Sequence, residues 1–128
     1  MPRRDEVARW VEGYARAWAS NDPEDIRVLF TDDAVYNERP YAQPQVGLDA
    51  IVADWLDRRD EPGDYEFSSE VLAADGDVGV VQGTTRYLTD DSEYANLWVI
   101  RFAADGRARE FTDWWILRPD ASNGPALN

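Results

Sequence analysis

The sequence contains no cysteine, no histidine and no lysine. Without the first two, disulfides, thiolate nucleophiles, histidine-assisted triads and ordinary zinc sites are excluded. What remains for chemistry is carboxylate, phenol, guanidinium and amide. The D-x-[DN]-x-[DN]-G pattern of a calcium loop is also missing, so neither a metal nor another cofactor is expected. No apolar run approaches the roughly 18 residues needed to cross a bilayer, and the amino terminus lacks the apolar stretch of a signal peptide. A cytoplasmic protein is the expectation. Positive charge is scarce: 13 arginines face 26 acidic residues, for a net charge of −13. Such a chain is repelled by nucleic-acid backbones and anionic membranes, so a neutral or cationic partner is expected, with a small hydrophobic or neutral organic molecule as the leading expectation.

What is present is an apolar fraction of 44% with six tryptophans, in 128 residues. That suits a single domain over 1–128, with about 1–4 and 119–128 frayed. Val7, Trp10, Val11, Tyr14, Ala17 and Trp18 recur at helical spacing and predict an amphipathic helix over 5–19. Asn21-Asp22-Pro23 predicts a stop and a fresh cap, with a second helix over 23–30 presenting Ile26, Leu29 and Phe30. A short strand is expected at 34–36, an irregular loop over 37–46, and a third helix over 48–59 carrying Ile51, Val52 and Trp55.

From Tyr65 the period falls to two. Strands are predicted over 65–73, 78–88, 94–103 and 107–117, with hairpins at Asp75-Gly76 and Asp105-Gly106. Three helices followed by long strands imply an α+β fold in which the helices and a long antiparallel sheet close around an aromatic-rich pocket. Both faces of the last two strands carry large apolar residues, whereas a sheet covered on one side should be polar on the other. A homodimer through the outer sheet face is therefore expected.

The phrases Leu29-Phe30-Thr31-Asp32-Asp33-Ala34, Gly47-Leu48-Asp49-Ala50-Ile51 and Asp105-Gly106-Arg107, in this order behind the first helix, resemble the nuclear transport factor 2-like superfamily over nearly the whole chain. The resemblance implies a cone, a curved sheet wrapped around the helices with a pocket at its open end. Against ketosteroid isomerase, Tyr14 falls on the oxyanion-hole tyrosine and Glu38 on the general base, while Trp98 replaces the second, aspartate donor. Against the SnoaL-like cyclases and limonene epoxide hydrolases, Asp113 falls on the catalytic aspartate. The hydrolases' R-x-D motif keeps only its arginine, in Arg86-Tyr87-Leu88.

The resemblance also turns Gln82, Thr84 and Arg86 inward, placing Arg86 beside Asp113. Catalytic candidates are therefore Asp113, Tyr14, Arg86 and Glu38. Gln82, Thr84 and Asn96 would form a polar wall, and Trp18, Tyr36, Trp55, Trp98, Phe111 and Trp115 an aromatic one. Two functions stay open: a cofactor-free isomerase, cyclase or lyase moving a proton on a small hydrophobic carbonyl compound, and a non-catalytic domain that binds a hydrophobic ligand or dimerises.

Overall fold

A computed structural model describes residues 3–38 and 41–119. Helix α1 spans Arg4–Ser20, and its apolar stripe of Val7, Trp10, Val11, Tyr14 and Ala17 is buried. Asn21 closes it in the left-handed conformation, at φ 53°, which asparagine tolerates better than most residues. Asp22 then caps α2, Pro23–Arg27, by accepting from the backbone of Glu24 at 2.9 Å. Helix α2 is shorter than its sequence implied, because Phe30 already belongs to strand β1, Phe30–Glu38. Ile26, Leu29 and Phe30 are buried all the same. The segment read as a loop supplies the end of β1 and a two-residue strand β2, Gln45–Val46; α3 follows at Leu48–Asp57.

Strands β3 (Tyr65–Asp75), β4 (Val78–Tyr87), β5 (Glu93–Phe102) and β6 (Ala108–Leu117) complete one curved, unclosed sheet in the order β2-β1-β6-β5-β4-β3. The architecture is α+β as expected. The sheet departs from pure antiparallel pairing one strand in from its β2 edge, where β1 runs parallel to β6 and sets Tyr36 beside Phe111 and Glu38 beside Asp113. Helix α1 lies in the concavity. Trp10 meets Phe30, Trp98, Phe102 and Phe111 with ring centroids 5.5–6.4 Å apart, and its indole N–H donates to the Leu29 carbonyl at 2.9 Å.

Arg4, in the stretch expected to fray, opens α1 and donates to the carbonyls of Val71 and Leu72. Residues 1–2 and 120–128 lie outside the described set. No helix among the described residues is long and apolar enough to cross a membrane. On the convex face Leu97, Trp114 and Ile116 are exposed.

Candidate active site

The open end of the cone holds a cavity of about 440 Å³ lined by α1, β1, α3 and strands β4 to β6, a size that accepts a small organic ligand. Tyr14, Trp18, Tyr36, Glu38, Trp55, Asn96, Trp98, Asp113 and Trp115, all singled out in the sequence, line it. Phe111 does not; it is fully buried behind Tyr14 and Tyr36, with centroids 5.4 and 4.8 Å away.

The expected positions on β4 are reversed. Gln82, Thr84 and Arg86 face outward, and Val81, Gly83 and Thr85 face the interior. Arg86 pairs with Asp91 at 2.8 Å on the surface and does not meet Asp113. The physical reason lies in the glycines. Phe67 of β3 packs over Gly83, where a Cβ would come within 2.8 Å of the ring, and Val7 of α1 packs as tightly over Gly79. Only residues without a side chain can stand opposite those groups, which fixes the alternation of the whole strand.

Thr85 thereby joins the site, a role that sequence reasoning missed. Its hydroxyl donates to Asn96 Oδ1 at 2.8 Å, and Asn96 Nδ2 donates to Asp113 Oδ1 at 3.2 Å. Burial raises the Asp113 carboxyl to about 6, against the opposing pull of the Asn96 amide and of the nearby Trp98 indole. Yet Trp98 Nε1–H, on a residue only 2% exposed, makes no hydrogen bond to the described residues. Gln45 Oε1 in the same lining is likewise unpartnered. Buried polar atoms of this kind are uncommon and mark strain or an expected ligand.

The hydroxyls of Tyr14 and Tyr36 stand 2.8 Å apart. Both phenols are held well above their ordinary pKa, first by burial and further by Asp113, so both remain protonated donors. Glu38, beside Asp113 in the sheet, is engaged by the Arg58 guanidinium, which also bonds Asp54 at 2.9 Å. The two adjacent carboxylates thus sit in opposite environments, Glu38 against a guanidinium and Asp113 buried without a cation beside it.

At the mouth, Asp60 Oδ2 accepts from Trp18 Nε1 at 3.0 Å and from Tyr87 OH at 2.9 Å. Asp60, Tyr87 and Tyr94 were not singled out in the sequence, because a carboxylate in a Pro-Gly-flanked turn and tyrosines near strand ends carry no periodic signal. No group of acidic side chains among the described residues is arranged to hold a metal ion.

The fold is shared with solved structures of low identity. A steroid delta-isomerase from Pseudomonas aeruginosa matches at TM-score 0.64 and 23% identity, over 94% of this chain and 85% of the other. An M. tuberculosis LEH-like epoxide hydrolase gives 0.63 and 18%, over 90% and 86%. An NTF-2 like protein of unknown function from Burkholderia xenovorans gives 0.70 and 13%, over 98% and 97%. Among curated proteins none matches. The family model for the SnoaL-like domain matches residues 11–111, most of the cone and of the cavity wall, and the chain belongs to that family.

Proposed function

We propose that the chain is a cofactor-free enzyme that moves a proton on a small, largely apolar carbonyl compound, as an isomerase, cyclase or related lyase. The observation that carries this reading is Asp113, a carboxyl raised to about 6 in a cavity shared with two protonated phenols. A base poised near neutrality is suited to removing a proton from carbon next to a carbonyl. The C–H electron pair then becomes the carbon–carbon double bond of an enolate as the C=O π pair moves onto the carbonyl oxygen. The Tyr14–Tyr36 pair and the unpartnered Trp98 N–H would donate to that oxygen as its charge grows. Asp113 returns the same proton to another carbon, so isomerisation balances without a co-reactant.

Glu38 is not assigned as the base, since Arg58 holds it. Epoxide opening through an arginine–aspartate pair loses its support with Arg86 on the outside. The protein is further proposed to pair with a second copy through the convex sheet face.

The test is exchange of α-protons for deuterium in a panel of small β,γ-unsaturated ketones, followed by NMR. Asp113→Asn should slow exchange by roughly 100-fold or more, and Tyr14→Phe by a smaller factor. Equal rates for the wild type and Asp113→Asn would leave the non-catalytic binding domain as the better description.

A further inference from the structure

The mouth of the cavity differs in kind from its floor. Five rings make a continuous arc from α1 across β3, β4, β5 and β6: Trp18 stacks on Tyr65 at 4.2 Å, Tyr65 meets Tyr87 at 6.4 Å, Tyr87 meets Tyr94 at 5.8 Å, and Tyr94 meets Trp115 at 5.5 Å. Asp60 joins this arc through the two hydrogen bonds on its Oδ2, and among the described residues its Oδ1 accepts none. The aromatic wall therefore encloses a carboxylate with one oxygen still available.

The charge balance of the lining points the same way. It contains five carboxylates and two guanidinium groups. Arg58 is already engaged by Glu38 and Asp54, and Arg59 leans 3.9 Å toward Glu61, outside the lining. Asp60 and Asp90 have no arginine partner among the described residues, and hydrogen bonds from Ser92 hold Asp90 below the usual carboxylate range. The mouth is thus acidic and rich in aromatic rings, the combination that attracts an organic cation.

An independent observation indicates that a ligand reaches past this mouth. Trp98 Nε1–H, buried in the lining of the same cavity and near enough to influence Asp113, makes no hydrogen bond among the described residues. A molecule that satisfies both carries an acceptor oxygen for the indole and a positive charge for the arc.

We infer that the ligand of this cavity is an amino or alkylammonium compound, its cationic nitrogen held at the mouth by Asp60 and the aromatic arc and its acceptor oxygen directed to Trp98. This deepens the proposed function by naming the substrate class as a cationic carbonyl compound. Its test does not depend on catalysis, because it reads binding alone.

Benzyltrimethylammonium and neopentylbenzene have the same shape and differ by one charge. Titrated into the full chain and followed by tryptophan fluorescence, the cation should bind at least about tenfold more tightly, with an advantage that shrinks as salt rises. Asp60→Asn should erase most of that advantage and leave neopentylbenzene binding unchanged, which also reports that the cavity remains folded. Glu12→Gln, an equal loss of charge on the exposed side of α1, should leave both affinities as they were. Tyr94→Leu should weaken the cation several-fold, and Tyr94→Phe should restore it. Equal binding of the two probes, or an equal effect of Glu12→Gln and Asp60→Asn on the cation, would overturn the inference. So would parallel loss of both probes in Asp60→Asn. Each of these outcomes leaves proton exchange by Asp113 untouched, so the two proposals fail separately.

Discussion

Asp113 is costly to the fold in its charged form. Its carboxyl titrates near 6 in the folded chain, above the ordinary aspartate value of 3.8. A raised native pKa means that the protonated state stabilises the fold, fully below about 3.8, and that this contribution is lost as pH rises through 6. At pH 8 the buried charge costs about 2–3 kcal/mol, from a shift of about two units. Asp113→Asn removes that cost while Oδ1 still accepts from Asn96. Its thermal midpoint should rise at pH 8 and change little at pH 4, as scanning calorimetry at the two pH values would report. Equal shifts at both would contradict the burial of a charge there. For the group proposed as the base, destabilising its own domain is a recurrent cost of function.

At the scale of elements, Asp113 is set by a line of bonds crossing three strands. Thr85 on β4 orients Asn96 on β5, and Asn96 orients Asp113 on β6. Both ends of the Asn96 amide are engaged in this line, which suits Asn96 and Thr85 to positioning Asp113. Asn96→Leu removes a bond that favours the charged carboxylate. The acid limb of the pH–rate profile should therefore move above 6, with a stability loss of about 1–3 kcal/mol from the unsatisfied Thr85 hydroxyl. An unmoved limb would mean that Asn96 does not tune Asp113. The same three strands depend on β4 standing close to its neighbours. Gly79→Ala places a Cβ within 2.8 Å of Val7, and overpacking of that kind should cost about 1–3 kcal/mol in urea unfolding.

These residues also mark where the sequence was legible. Helix α1 could be read because large apolar residues recur at one period on one side, and β5 and β6 because their residues alternate, but both faces of those strands are apolar, and it was the family resemblance that picked out Tyr14, Trp98 and Asp113. Strand β4 could not, because its inward positions include Gly79 and Gly83, whose fitness is that they lack side chains. With no pattern of its own, the strand took its direction from analogy, which reversed Arg86 and Thr85. Asp60 was hidden for a different reason: its partners come from α1 and β4, 42 and 27 residues away. No local spacing records such a meeting.

For the molecule as a whole, the sheet separates two surfaces by alternation. Asn96, Trp98 and Asp113 face the cavity, while Leu97, Trp114 and Ile116 face outward and are exposed by 38, 45 and 67%. Apolar groups gathered on one face draw two copies together, but each copy carries a charge of −13 and repels the other. The balance depends on ionic strength, since screening shortens the repulsion from about 30 Å at 0.01 M salt to 3 Å at 1 M and leaves apolar burial in place. Sedimentation equilibrium at micromolar concentration should show a dimer that tightens with added salt, the reverse of an association held by ion pairs. Ile116→Glu puts a carboxylate into that face and should yield a monomer at either ionic strength. Because the side chain points away from Asp113, the variant should keep its proton-exchange rate if one copy supplies the whole site. A wild-type monomer throughout the salt range would show that the convex face has no copy of itself as partner.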